Sequence, residues 1–245
     1  MTTNAAPLVA ANPQTQPTPR HVLVDSNAVL VANELNLSIF KPSWLQNAGI
    51  LTEQELSGQI VITPGLAQIP TDLFELVIIP NRVQITFRPA GLVTARAILT
   101  RIIGGIATTL PHTPYQALGI NYQYHIGPPQ GTEFGRWDRQ LFALPAVCTI
   151  VQADDTKARF GAYFSLDALG MRVKVDLKPV VAQLNDPQGR RLAETELINA
   201  ALNYHTQLPD ADRLPMLLST LAKWDEAFQH AATIIQSIQG WATVK

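Results

Sequence analysis

Residues 73–88, LFELVIIPNRVQITFR, decide the fold class. Val83, Ile85 and Phe87 alternate with Arg82, Gln84, Thr86 and Arg88, the period of a half-buried strand. The apolar run 73–79 precedes it and Pro80-Asn81 makes a short turn, so the two segments pair as a hairpin. A helix follows, with Leu92, Ala95, Leu99, Ile102 and Ile106 on one face and Thr94, Arg101 and Thr108 on the opposite stripe. Gly104-Gly105 weakens that helix by about 1 kcal/mol per glycine relative to alanine. Because Ile106 continues the apolar face, close backbone packing explains the pair better than a fraying end. Pro111 and Pro114 break the helix. Leu118, Ile120, Tyr122, Tyr124 and Ile126 then alternate with Gly119, Asn121, Gln123 and His125 as a return strand.

Upstream, residues 1–19 hold Pro7, Pro13, Pro17 and Pro19 among Ala, Asn, Thr and Gln. Such a segment cannot bury enough surface to offset the entropy of ordering, and is expected to be a flexible tail. The first strand is expected within 21–35, where the polar triplet Asp25-Ser26-Asn27 leaves a bend and a bulge both open. Pro42 and Ser43 start a short helix that turns Trp44 and Leu45 inward and ends at Gly49. Thr52 and Glu55 have capping-box spacing. Two brief extended pieces, 60–62 and 66–69, flank the turn chemistry of Pro64-Gly65.

Gly127-Pro128-Pro129-Gln130-Gly131 is the clearest internal boundary, either a linker or a long loop within one sheet. Beyond it lie segments 134–142, 146–152, 158–166 and 171–180. The last two alternate cleanly and read as an antiparallel meander with turns at 154–157 and 168–170. Two helices are expected to close the chain. One covers 192–205, with Leu197, Ala200, Ala201 and Tyr204 inward. The other is longer, carrying Leu214, Leu217, Leu221, Trp224, Phe228 and Ile235 and ending at Gly240. The expected fold is therefore α+β, mainly antiparallel sheet with helices packed on one side. It divides into a tail (1–19), an N-terminal α+β half (20–126) and a C-terminal meander with two helices (132–245). The halves are either two related units or one continuous domain.

Of 245 residues, 47% are apolar and 15% charged. That charged share sits below the roughly 25% usual for globular domains, and Gln, Asn and Thr take up part of the deficit. A net charge of −1 gives no global field toward nucleic acid or anionic lipid. The single cysteine, Cys148, rules out an internal disulfide and is expected as a small buried hydrophobe in the apolar run 146–151. No run approaches 18 consecutive apolar residues and 1–19 lacks the pattern of a secretion signal, so no membrane partner and a cytoplasmic location are expected.

The five histidines show no metal-ligand spacing, and phosphate loops, dinucleotide fingerprints and nucleophile elbows are missing from the sequence. No cofactor is expected. His125 shares a strand face with Asn121 and Gln123, which a solvated polar face also explains. Asp176-Leu177-Lys178, with Asp167 before it, has the acid-x-lysine pattern that metal-dependent nucleases use to hold a cation and activate water. An alternating solvent face of Arg172, Lys174, Asp176 and Lys178 accounts for the same residues. Stacked as a meander, Arg159, Tyr163, Arg172, Lys174 and Lys178 form a second candidate, a basic face with an aromatic for nucleic acid.

The strand ending Gly119-Ile120-Asn121-Tyr122, with the helical stretch 221–228, resembles a sporadically distributed family of uncharacterised prokaryotic α+β proteins. The resemblance covers two short pieces of the chain, implies a microbial α+β domain and carries over no catalytic residue. The leading functional expectation is a non-catalytic subunit that binds another protein or itself, using the C-terminal apolar stripe of Trp224, Phe228 and Ile235. A nucleic-acid-binding module and a metal-dependent nuclease are the alternatives.

Overall fold

The fold is that of a computed structural model, which describes residues 21–151, 153, 157–185 and 191–241. The tail read at 1–19, and Asp154, Asp155 and Thr156 of the turn read at 154–157, lie outside the described residues. The strands are β1 (His21–Ala32), β2 (Val61–Thr63), β3 (Leu66–Pro70), β4 (Phe74–Ile79), β5 (Arg82–Phe87), β6 (Tyr115–Ile126), β7 (Ala162–Ala168), β8 (Met171–Asn185) and β9 (Arg191–Gln207). They form a nine-stranded antiparallel sheet in the order β2-β3-β4-β5-β1-β6-β9-β8-β7.

The hairpin forms as its alternation requires, with Phe74 opposite Phe87, Leu76 opposite Ile85 and Ile78 opposite Val83, all buried. β6 pairs with β1 on one side and β9 on the other, so one sheet runs unbroken past Gly127. The proline-rich boundary is a connection within that sheet. The polar triplet of β1 is regular strand, with Asp25, Ser26 and Asn27 opposite Gln123, Tyr122 and Asn121, and the bulge falls just before it at Val24, where the register against β6 shifts between Leu23 and Asp25.

The helices are α1 (Pro42–Asn47), α2 (Pro89–Thr109), α3 (Phe134–Phe142), α4 (Pro145–Ile150), α5 (Arg213–Ala222) and α6 (Trp224–Trp241). α2 opens with a 3₁₀ segment, Pro89–Thr94, and widens to a π turn over Thr100–Gly104. Its most apolar window has a mean hydropathy of 1.4, and half of that window is buried inside the protein. Ile98, Leu99, Ile102, Ile103 and Ile106 explain the apolarity, since each is buried. A Cβ at Gly104 would stand 3.1 Å from Leu218 Cδ2, and one at Gly105 3.2 Å from Ile50 Cγ1, so both glycines serve close packing. The Thr52–Glu55 box is made in both directions, Thr52 N donating to Glu55 Oε2 at 2.9 Å and Glu55 N to Thr52 Oγ1 at 3.2 Å. Burial alone would raise the Glu55 carboxyl, but the hydrogen bonds from Arg101 and from the Thr52 backbone hold it below its ordinary value.

The helical layer covers one face of the sheet. Trp224 packs against Phe87 and Tyr122 with ring centroids 5.1 Å away in both cases, and Tyr122 Oη donates to the Trp224 carbonyl at 2.9 Å. Phe228 stacks on the same tyrosine at 5.5 Å. Burial raises the hydroxyls of Tyr122 and Tyr204 and pushes that of Tyr124 up to about 12, so these rings stay neutral.

Several expectations need correction. Residues 192–205 belong to strand β9, because Ile198, Ala200, Leu202 and Tyr204 are buried at a period of two and ladders from β6 and β8 pair both of its edges. A run of small and apolar residues satisfies both periods, and the two ladders decide between them. Of the segments at 134–142 and 146–152, the first is helix α3 and the second falls on helix α4, Pro145–Ile150, with Gln152 outside the described residues, and the meander is β7, β8 and β9. The long C-terminal helix breaks at Lys223, whose Nζ donates to Leu169 O at 2.7 Å in the β7–β8 turn. Leu169 holds φ +56 there and Gly170 +69. Gly240 lies inside α6, which continues to Trp241. Cys148 sits on α4, a helix that buries none of its residues. Trp224 and Ile235 are 2% and 0% exposed and Phe228 is half-buried against Tyr122, so the stripe given to a partner packs on the protein's own core.

Candidate interaction surface

The face of the sheet opposite the helices is open and polar. Asn27, Asn121 and Asn203 stand directly opposite one another on three adjacent strands. Asn203 Nδ2 donates to Asn121 Oδ1, Asn121 Nδ2 to Asn27 Oδ1 at 2.7 Å and Asn27 Nδ2 to Asp25 Oδ2 at 2.7 Å. Gln123 Nε2 donates to Asn199 Oδ1 at 2.7 Å in a neighbouring row. His125 faces Asn199 across the β6–β9 pair, with Lys178 one strand beyond. The amides satisfy one another, which makes this face an ordered polar surface.

Tyr163, Arg172, Lys174 and Lys178 share that open face, as their registers on β7 and β8 require. Arg159 does not join them. It lies on the helix side, bound to Glu196 at 2.7 and 3.0 Å with its guanidinium 5.7 Å from the Phe134 ring centroid. Arg172 pairs with Asp167 at 3.1 Å and Lys178 with Asp176 at 2.5 Å. Three cations thus face two carboxylates, and the basic patch is nearly neutral. Asp167 stands opposite Arg172 and Asp176 opposite Tyr163, four residues apart along the strands. At roughly 3.3 Å per residue that is about 13 Å, too far to share one ion. No group of three His, Cys, Asp or Glu side chains stands close enough to hold a metal among the described residues.

A different surface emerges at the β7 edge. β7 pairs with β8 alone among the described strands. Ala162, Phe164, Leu166 and Ala168 point to the helix side, opposite Leu177, Val175, Val173 and Met171. The helical layer stops short of them, leaving Phe164 51% and Leu166 39% exposed. Between this edge, α3 and α6 runs an apolar groove of about 790 Å³, walled by Leu141, Phe142, Ile234 and Ile238 and floored by Val175 and Leu177. Just past Phe142, Leu144 and, on α4, Val147 and Ile150 are exposed. Apolar side chains gathered on one flank mark an association site more often than a bare surface. Tyr163 was named from the sequence for another purpose. Phe164, Leu166 and the groove were missed, because their alternation marks a packed face and nothing local reveals that the helices end before reaching it.

Asp138 on α3 fixes the approach to this edge. It is fully buried, and Oδ2 accepts the Phe160 backbone N–H at 2.7 Å, whereas Oδ1 has no partner among the described residues. Burial raises its carboxyl above the ordinary value, opposed by the Phe160 hydrogen bond and the Arg159 and Arg139 charges and reinforced by Glu196. The folded protein therefore holds this proton more tightly than the unfolded chain. The stability gained is full below the ordinary aspartate value, about pH 4, and is lost as pH rises through the raised one. Asp138→Asn keeps an acceptor for Phe160 N–H and removes the ionisation. Denaturant midpoints measured from pH 4 to 8 are expected to fall less steeply for the variant. An unchanged slope would show that Asp138 does not carry this dependence.

Fold and surface together define an antiparallel α+β protein with one helix-covered face, one open amide-rich face and an exposed apolar flank at its last strand. No protein-family model matches the chain, and no curated protein does.

Proposed function

We propose that this protein is a non-catalytic association subunit that works by binding another protein or a second copy of itself through the β7 flank. The observation that supports this reading is the juxtaposition of an apolar edge strand, its outer side unpaired among the described residues, with an apolar groove on the same side of the sheet. An edge strand offers main-chain hydrogen bonds, and an adjoining groove offers burial, the combination used in β-strand addition. On the open face Arg172 and Lys178 are each ion-paired, with Asp167 and Asp176, which weighs against a basic or metal-binding site there.

Phe164 and Leu166 are exposed, so Phe164→Ser/Leu166→Ser is expected to fold with a denaturant midpoint near wild type. Light scattering on the full chain, together with affinity capture from the native host, is expected to reveal association by wild type that the double variant loses. A wild-type monomer at the highest soluble concentration that also captures nothing would overturn the reading.

A further inference from the structure

The two ends of the sheet are not equivalent. β2 ends it with three residues, Val61–Thr63, closed by Pro64-Gly65. Short edges of this kind resist pairing with another chain. β7 ends it with seven residues, Ala162–Ala168, and carries no lysine, proline or bulge to block such pairing. Tyr163, Phe164, Ser165, Leu166 and Asp167 are all exposed.

We infer that the occupant of this edge is a second copy of the same chain, its β7 pairing antiparallel to the first about a two-fold axis through Ser165. This rests on the reading of the β7 flank as an association surface. A two-fold axis perpendicular to the sheet keeps the helix-facing residues of both copies on one side, so the residue on the axis must face itself. A slip of one residue would set apolar against polar positions. Ser165 is the midpoint of β7, so centring there pairs the full strand, whereas centring on Phe164 or Leu166 leaves overhanging ends.

The sequence of β7 is self-complementary about that point. Phe164 meets Leu166 of the second copy and Ala162 meets Ala168 on the helix side. On the open side Tyr163 meets Asp167, a hydroxyl donor against a carboxylate acceptor, and Ser165 meets Ser165. No like charges stand opposite one another. The strand pair would supply on the order of six main-chain hydrogen bonds. It would also join the two apolar grooves across the seam, because both helical layers lie on the same side. The result is a dimer in which the sheet continues from one copy into the next.

Light scattering or sedimentation of the full chain is expected to show a dimer. Ser165→Glu stands opposite Lys174 within its own chain, a favourable pair, but places two carboxylates opposite each other across the seam, and is expected to weaken dimerisation at least tenfold while the thermal melt of the monomer stays intact. In a Cys148→Ser background, Ser165→Cys is expected to form an intermolecular disulfide under mild oxidation, since directly opposed residues lie within disulfide reach. Asp167→Cys in the same background is expected not to, because the two copies of position 167 would be about 13 Å apart. A dimer unaffected by Ser165→Glu, or equal cross-linking at 165 and 167, would overturn the inference. A monomer that captures a different protein, and loses it in Phe164→Ser/Leu166→Ser, would overturn the homodimer and leave the broader reading standing. A monomer that captures nothing would overturn both.

Discussion

Trp224→Ala is expected to lower the free energy of unfolding by about 3–5 kcal/mol, the range for truncating a buried Trp or Phe. Trp224 is 2% exposed and its indole touches Phe87 from the hairpin and Tyr122 from the central strand. Removing it opens a cavity between the sheet and the start of α6 that Phe228, already stacked on Tyr122, cannot fill without leaving its own contact. The Tyr122 hydroxyl keeps its acceptor, since it bonds the backbone carbonyl of residue 224. The loss should therefore come from packing and hydrophobic transfer, and the denaturant midpoint should fall with little change in slope. A fall below about 1 kcal/mol would place Trp224 at the periphery and restore it as a candidate contact for a partner. The association proposed for the β7 flank should survive the substitution under conditions where the variant remains folded.

The hairpin, the α2 helix and the β6 strand were legible because each shows a single period over enough residues. Gly104 and Gly105 were legible because the apolar face continues beyond them. β9 was not. Its residues Ala200, Ala201, Leu202 and Tyr204 fit a helical stripe as well as a strand, and only pairing along both edges resolves the ambiguity. The C-terminal stripe was read correctly as apolar, but a sequence does not say whether such a stripe faces its own sheet or a partner. Here it faces the sheet.

The candidate surface was hidden for the complementary reason. Phe164 and Leu166 alternate as core residues do, and their exposure follows from where α3 and α6 end in space. Arg159 was grouped with Arg172, Lys174 and Lys178 on charge alone. It lies outside the β7 strand, on the helix side, where Glu196 holds it. Charge and alternation locate a residue on a face. They do not locate the limits of the layer that covers that face.

The contrast between Gly91 and Gly161 tests how peripheral β7 is. A Cβ at Gly91 would fall 2.1 Å from the Leu73 carbonyl oxygen, and one at Gly161 2.5 Å from that of Leu177. Both insults meet backbone, which no rotamer change relieves. Gly91 lies in the interior, where Leu73 O also accepts the Arg88 N–H at 2.9 Å and ties the hairpin base to the start of α2. Gly91→Ala is therefore expected to destabilise the whole fold by about 1–3 kcal/mol or more. Gly161 immediately precedes the edge strand, and β7 can relieve the clash by lifting from β8. Gly161→Ala is expected to leave the global denaturant midpoint close to wild type while amide exchange accelerates across Ala162–Ala168, as a local opening does. It should also weaken self-association, because the pairing edge is no longer held in register. Equal loss of global stability in the two variants would show that β7 is integral to the core and unsuited to act as a surface that pairs from outside.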